Sequence, residues 1–278
     1  MKNKIYDCFM FNNENDLLEI RLNILNNYVD YFVIIESSET HSGLKKKLVF
    51  DIKNYPEFKD KIIYGVINKF PQNLTAWQKE NYQRNYISKF LDSANSEDFI
   101  MISDLDEIPN LTNTNFLDHK EKVIIFEQRL FFYKLNYGEI NPSWHGTRCA
   151  KKINLKNPQW IRNLKTHKRY NFYRIDKKYF SNNYEDSSKI IKNGGWHFTW
   201  LGNINFIKEK LKSFAHTELN NFSFNNDEFI SNCIKNLRPI EKKQKINLKK
   251  LPLNEKYLPE YVLNNFTKYK SFLDLGEM

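Results

Sequence analysis

Short apolar runs alternate with helix-like segments through the first half of the chain, and this alternation constrains the fold more than any other feature. The runs predict four strands, at residues 5–11, 31–36, 62–67 and 99–102. Apolar residues at helical spacing from Leu17 onwards predict a helix up to Asn26 and Asn27, and a stretch rich in Gln, Lys and Arg predicts another over 76–91. Strands separated by helices are typical of an α/β fold, in which helices flank an open, twisted, mostly parallel sheet.

The second half has a different pattern, with further strands between aromatic and basic segments. Strands are predicted at 123–126 and 130–135, and helices at 204–214 and 259–266. These strands indicate a smaller mixed sheet beside the parallel one. No Pro-, Gly- or Ser-rich linker interrupts the 278 residues, so we expect a single domain over 1–278.

Basic residues outnumber acidic ones by 43 to 33, which gives a formal net charge of +10. Such an excess indicates an anionic partner, and a nucleic acid, a membrane surface or a phosphorylated substrate would each provide one. The three cysteines are widely spaced and indicate neither a disulfide framework nor a cysteine zinc site. The chain has no apolar signal region and no apolar run near the roughly 20 residues of a membrane-spanning helix. We therefore expect a soluble, cytoplasmic protein that is at most peripheral on a membrane.

Two aspartates, Asp104 and Asp106, follow directly after the apolar run FIMI. In open α/β sheets ligands bind at the carboxyl ends of the strands. Two carboxylates placed there can share a divalent cation, which would bridge the phosphates of a nucleotide. Neither GxGxxG nor GxxxxGK[ST] occurs, so a nucleotide would have to be held in this other way. The competing interpretation is that the two acids cap or solvate a turn.

The segment ISDLDEIP, which contains both aspartates, resembles the metal-binding motif of glycosyltransferases of the GT-A fold, and specifically of glycosyltransferase family 17. Further segments are similar to that family in the same order: 16–23 (DLLEIRLN) with 29–37, 77–85 (WQKENYQRN), 195–198 (GWHF) and 258–263. The resemblance thus spans nearly the whole chain. It implies a GT-A type, Rossmann-like sheet, with residues 1–110, approximately, binding a nucleotide sugar and residues 111–278 binding the acceptor.

The resemblance also implies an activity and a metal site. The enzyme would be inverting and would transfer GlcNAc from UDP-GlcNAc to a hydroxyl of a glycan or glycolipid acceptor. Asp104 and Asp106 would hold Mn²⁺ or Mg²⁺ against the donor diphosphate, and His197 would complete the coordination or bind a phosphate. The paired glycines before His197 would let the backbone approach a ligand closely. The alternative for His197 is a satisfied histidine in an aromatic core.

Further donor contacts are expected from Glu36 and Arg84. Glu36 ends the second predicted strand, where it would accept hydrogen bonds from uracil or ribose, or else cap the following turn. Arg84 would make bidentate contacts with the diphosphate, unless it lies on a solvated helix face. Lys208, Lys212 and His216 recur at four-residue spacing and so share one helix face. That face, with Lys212 as the donor-binding residue, would stabilise the leaving phosphate or simply be solvated.

Inversion requires a carboxylate that takes the proton of the acceptor hydroxyl. Glu185 and Asp186, in the loop before GWHF, are the first candidates, and Glu139 is the next. Glu107 would contact the donor sugar or orient the metal loop, or else satisfy nearby backbone amides. Arg21, early in the first helix, is expected to make a structural ion pair instead.

A nucleic-acid-binding protein is the main alternative that is not an enzyme. Seven basic residues form a basic segment: Lys235, Arg238, Lys242, Lys243, Lys245, Lys249 and Lys250. This segment lies away from the aromatic motifs and no nucleic-acid module is recognised, so we expect no nucleic-acid partner. It would instead draw the protein to an anionic membrane surface. The aspartate pair would also suit a metal-dependent phosphoesterase or nucleotidyltransferase.

Overall fold

The computed structural model describes residues 3–112, 116–166, 183, 185, 187–240 and 246–276. The strands in this part of the chain are β1 Ile5–Phe11, β2 Tyr31–Ser37, β3 Ile62–Ile67, β4 Phe99–Asp104, β5 Glu107–Pro109, β6 Val123–Phe132, β7 Tyr137–Glu139, β8 Trp144–Lys151, β9 Ser188–Ile191, β10 Gly195–Thr199 and β11 Leu248–Lys250. They form one sheet in the order β11-β7-β6-β8-β4-β1-β2-β3, with β9 and β10 also paired to β6, and β5 paired to β10.

The strands of the first half are parallel, as predicted. β1 pairs with β2 and β4, and β2 pairs with β3. β8 is antiparallel to both β4 and β6, and it thereby joins the second-half strands to the same sheet. The mixed strands therefore extend the central sheet and do not form a separate smaller one. The two strands predicted at 123–126 and 130–135 are one strand, β6, which continues through an irregularity between Ile125 and Glu127.

Helices flank this sheet. The described α-helices are α1 Asn15–Leu25, α2 Ala76–Tyr86, α3 Pro158–Asn163, α4 Ile204–Ser213, α5 Asp227–Lys235 and α6 Glu260–Asn264. A capping box of Thr75 and Gln78 starts α2. The α-helix ends at Tyr86, earlier than predicted, because the chain tightens there into the 3₁₀ turn Ile87–Phe90. None of the described helices is long and apolar enough to cross a membrane.

Successive residues of the central strands pack into layers on opposite faces of the sheet. On β1, Phe9 belongs to the layer that contains α1, whereas Cys8 belongs to the layer on the other face. Burial on both faces explains why these strands are continuous apolar runs in the sequence. In a third cluster, Ile207 of α4 and Ile230 of α5 pack at the end of β6.

The core layer around α1 also contains residues from the far end of the described chain. Leu17 and Leu18 of α1 share it with Tyr269 and Leu273, and α6 packs against α1. Early and late segments of the chain therefore complete one apolar layer together.

Candidate active site at the carboxyl edge of the sheet

A cavity of about 340 Å³ opens where the parallel strands β1, β2 and β4 end. Met10, Ser37 and Asp104, from those three strand ends, line one side of it. The opposite side is formed by residues that include His197 of β10 and Lys210 of α4. The carboxyl edge is the ligand-binding edge of open α/β sheets, and it is where the sequence predicts the site.

Asp104 faces this cavity between two arginines. Arg84 donates from Nη2 to Oδ1 at 2.9 Å, and Arg162 donates from Nη2 to Oδ2 at 3.0 Å. Burial by itself would raise the pKa of Asp104, but the two guanidinium groups outweigh it and lower the pKa to about 2. The side chain keeps 36% of its surface exposed, so an ionised carboxylate is presented to the cavity.

Asp106 lies between a lysine and a histidine. Lys210 Nζ is 3.3 Å from Oδ2, and His197 Nε2 is 3.5 Å from Oδ1. Burial opposes ionisation here too, yet Lys210 and His197 hold the pKa of Asp106 well below its usual range. Burial would lower the pKa of His197, but Asp106 more than compensates and raises it. The indole of Trp144 packs on the imidazole, with ring centroids 4.9 Å apart.

A fully buried arginine holds the loop that carries both aspartates. Arg21 forms the predicted structural ion pair, donating to both carboxylate oxygens of Asp7 at 2.8 and 2.6 Å. Its Nη1 donates to the carbonyl oxygens of Asp104 and Leu105 at 3.0 Å each, and to that of Glu107 at 2.9 Å. The path of the backbone between the two aspartates therefore depends on one guanidinium.

Glu107 supports the same loop from the interior. Its carboxylate accepts two hydrogen bonds from Arg162, at 2.7 and 2.9 Å, and one from Trp144 Nε1 at 2.7 Å. It also accepts the backbone N–H of Asp104 at 3.0 Å. Glu107 is fully buried and does not line the cavity, so in this arrangement its contacts orient the loop, and contact with the donor sugar stays a prediction.

Neither Glu36 nor Arg84 lines the cavity, although both are predicted to bind the donor. The fully buried carboxylate of Glu36 accepts from Lys46 Nζ, the Tyr64 hydroxyl and two backbone N–H groups of residues 49 and 50. Arg84 is nearly buried and is bound to Glu80 and Asp104 through Nη2. In this arrangement Glu36 fastens a neighbouring segment and Arg84 binds Asp104, and their donor contacts stay predictions.

The described candidates for the catalytic base lie outside the cavity as well. Glu139 accepts a hydrogen bond from the Ser143 hydroxyl at 2.6 Å and lies on β7, between β6 and the edge strand β11. Glu185 accepts from the backbone of Ser187 and lies beside Lys122, immediately before β6 begins. His197, in contrast, pairs with Leu130 near the other end of β6. Asp186 lies outside the described residues.

The two lysines predicted to form a basic face on α4 do not line the cavity. Lys212 is exposed and does not line the cavity, and Lys208 pairs with Asp227. The cavity is reached by Lys210 instead, because it follows the buried Ile207 by three residues and so flanks the apolar stripe of the helix. His216 does line the cavity.

Gly195, which precedes Trp196, lets two strands of the sheet lie close together. Gly195 has a φ of +140°, and a Cβ on it would lie 2.2 Å from the carbonyl oxygen of Ile108 in β5. The close approach that the glycine permits is therefore to another strand, and not to a ligand as predicted. It sets the register in which His197 lies opposite Glu107.

Substituting Gly195→Ala tests this role. We expect the free energy of unfolding to fall by about 2 kcal/mol or more, since backbone strain and a clash with backbone combine. Urea denaturation followed by circular dichroism measures it. Gly43→Ala is the matched control, because Gly43 also has a positive φ, of +97°, but a Cβ there would meet only the flexible end of Lys79. An equal effect in both variants would contradict the interpretation.

The carboxylates at the cavity form a small donor set for a divalent metal. Among the described residues, no group of three or more His, Cys, Asp or Glu side chains is arranged to hold a metal ion. Asp104 and Asp106 nevertheless offer ionised oxygens at one edge of the cavity. Mg²⁺ and similar ions often take only one or two carboxylates and complete their coordination with phosphate oxygens and water. The two aspartates fit such a site, and a metal-binding role for His197 stays a prediction.

Comparison with known proteins identifies the class of this chain. Three curated relatives, from Rattus norvegicus, Homo sapiens and Mus musculus, are each named beta-1,4-mannosyl-glycoprotein 4-beta-N-acetylglucosaminyltransferase. Each is 27% identical over 124 residues, which cover 41% of this chain and 23% of the relative. The match thus spans about a quarter of the length of these relatives. The model of glycosyltransferase family 17 matches residues 1–277.

The chain therefore belongs to a family of glycosyltransferases. More narrowly, with nearly the whole chain matched, it belongs to glycosyltransferase family 17.

Proposed function

We propose that the protein is a metal-dependent, inverting glycosyltransferase that moves GlcNAc from UDP-GlcNAc to a hydroxyl of a glycan. The observation that carries the proposal is the pair of ionised carboxylates, Asp104 and Asp106, at the carboxyl-edge cavity. The names of the curated relatives support GlcNAc as the transferred sugar. Membership of the family disfavours the nucleic-acid-binding and phosphoesterase alternatives.

In the proposed reaction the acceptor hydroxyl attacks the anomeric carbon as the bond to the diphosphate oxygen breaks. A bound Mn²⁺ or Mg²⁺ would supply positive charge to the departing diphosphate. Asp104 and Asp106 would orient the donor by holding that ion, and their ionised state is maintained by the arginines, lysine and histidine around them. The hydroxyl proton goes to a carboxylate, and three further carboxylates of the described chain line the cavity, those of Glu14, Glu39 and Glu80.

Lys210 is proposed to stabilise the leaving diphosphate, because its ammonium group lines the cavity beside Asp106. Asp106 and Glu14, at 3.3 and 3.4 Å, outweigh burial and raise its pKa, so it stays charged. Substituting Lys210→Met should lower kcat by about 100-fold, the lower end of the loss expected when one charge-stabilising donor is removed.

Lys212→Met, two residues further along the same helix, is the matched control and should retain nearly full activity because Lys212 is exposed. Steady-state rates with the donor saturating measure both variants. A larger loss in the Lys212 variant would restore the predicted basic face and remove Lys210 from this role.

The proposed function is tested by a donor screen. Purified protein is incubated with UDP-GlcNAc, UDP-GalNAc, UDP-glucose or GDP-mannose and a panel of oligosaccharides, with Mn²⁺ or with EDTA. We expect release of UDP from UDP-GlcNAc, dependent on both metal and acceptor. Transfer that persists in EDTA would contradict metal dependence, and preference for another donor would replace the proposed sugar. A product with the retained anomeric configuration, seen by NMR, would contradict inversion.

A further inference from the structure

The segment 44–53 exposes an unusual amount of apolar surface. Leu44, Leu48, Val49 and Ile52 are exposed by 55%, 42%, 39% and 38% of their surface. They make up four of the nine large hydrophobic side chains that are exposed in the described part of the chain, and they fall within nine residues. Single exposed apolar residues need no explanation, but a cluster marks an interaction site.

Lysines surround these apolar side chains. Lys45, Lys47 and Lys53 are exposed, and one acidic residue, Asp51, lies within the segment. Lys46 turns inward to pair with Glu36. The surface therefore combines apolar side chains with several uncompensated positive charges.

The segment is held in place, so its apolar exposure does not result from loose attachment. The backbone N–H groups of Val49 and Phe50 donate to the buried carboxylate of Glu36, at 2.9 and 3.2 Å. The ring of Phe50 packs against Tyr64, with centroids 4.5 Å apart, and stacks on Tyr55. Phe50 is thus the anchor that points inward, while its neighbours point to solvent.

The beginning of the same segment is hydrogen-bonded to residues next to the cavity. The Thr40 backbone donates to the Leu44 carbonyl oxygen at 2.7 Å, and the Lys46 backbone donates to that of Ser38 at 2.9 Å. Thr40 and His41 line the cavity. The beginning of the exposed segment is therefore joined directly to the stretch of chain that lines the cavity.

We propose that residues 44–53 dock the protein on an anionic phospholipid membrane. Leu44, Leu48 and Val49 would enter the boundary between headgroups and acyl chains, and the lysines would contact lipid phosphates. The charges favour this occupant over a second copy of the chain, because the lysines on two facing segments would repel each other. The net charge of +10 acts in the same direction. Combined with the proposed function, on which this step rests, the docking would present a lipid-linked acceptor to the cavity.

Co-sedimentation with vesicles tests the proposal without requiring catalysis. One vesicle preparation is phosphatidylcholine alone, and the other is an equal mixture of phosphatidylcholine and phosphatidylglycerol. We expect binding to the mixed vesicles and little to the neutral ones. The double variant Lys45→Glu/Lys47→Glu should weaken that binding at least about tenfold, since each lysine near an anionic surface contributes roughly 1 kcal/mol. Leu48→Ser/Val49→Ser should weaken it as well.

Two controls distinguish a specific effect of the segment 44–53 from an effect of net charge or of any exposed apolar side chain. Lys189→Glu/Lys192→Glu changes the net charge equally at another exposed site, and Ile153→Ser removes a side chain that is 67% exposed elsewhere. Both should bind vesicles like the wild type. Turnover of a soluble acceptor should be unchanged in the segment variants, so loss of vesicle binding would not reflect a damaged site.

Absence of wild-type binding to the mixed vesicles would overturn the proposal. So would equal weakening by the control substitutions, or loss of binding only when Lys242 and Lys243 are changed to Glu. A dimer in sedimentation velocity that dissociates in the Leu48→Ser/Val49→Ser variant would assign the surface to a second copy instead. A failed donor screen leaves the vesicle result unaffected, so the two proposals fail separately.

Discussion

Asp104→Asn and Asp106→Asn are each expected to reduce sugar transfer by about 100-fold or more, while the protein stays folded. Each substitution keeps the shape of the side chain and removes one of the two negative charges that are proposed to hold the metal and donor diphosphate. Initial rates of UDP release at saturating UDP-GlcNAc and Mn²⁺ measure the loss. Far-ultraviolet circular dichroism and urea denaturation check the fold.

Asp227→Asn is the matched control. Asp227 is an exposed residue of α5 that pairs with Lys208 of α4, so it should tolerate the same change. Variants at both positions 104 and 106 with rates near that of the control would contradict the proposed site. A Mn²⁺ titration adds a separate test, since weaker metal binding should raise the concentration needed for half-maximal activity in both variants.

Arg21→Met is expected to lower the free energy of unfolding by about 3–5 kcal/mol, because it leaves Asp7 charged and unpaired in the interior. It also removes the donors of three carbonyl oxygens in the loop that carries the aspartates. Urea denaturation measures the change. Activity should fall further than the folded fraction explains, since Asp104 and Asp106 are no longer held at their proper separation.

The double variant Arg21→Met/Asp7→Leu is the control for the buried charge. We expect it to recover part of the lost stability, because replacing both partners of a buried ion pair costs less than removing one. Activity should not recover, since the loop still lacks its donor. Recovery of stability and activity together would show that Arg21 serves only to neutralise Asp7.

The parallel half of the sheet is predictable because its strands are buried on both faces and so appear as uninterrupted apolar runs. Residues 5–11 and 62–67 are strands with the predicted bounds. The role of β8 is not predictable, because Trp144 to Lys151 contains Arg148 and His145 and lacks such a run. Its burial depends on interior contacts, such as those from Arg148 Nη1 to the carbonyl oxygens of Ile161 and Leu164.

The candidate site is predictable where it depends on a strand end, as for Asp104 and Asp106. It is not predictable where partners come from distant parts of the chain. Arg162 binds Asp104 from the short helix α3, and nothing in its surrounding sequence distinguishes it from other arginines. The position of Lys210 is partly predictable, because the apolar residues Ile207 and Leu211 define which face of α4 is buried. Glu36 lies at a strand end as expected, yet its buried carboxylate binds Lys46, Tyr64 and the backbone of residues 49 and 50, and it does not line the cavity.

The core layer shared by α1 and the segment around Tyr269 has a consequence for biosynthesis. Leu17 and Leu18 emerge from the ribosome long before Tyr269 and Leu273, so part of the apolar layer around α1 stays uncovered until the segment around residue 270 has been synthesised. This layer can close only after those late residues have been added, and a nascent chain stalled before residue 260 would expose it to chaperones and proteases.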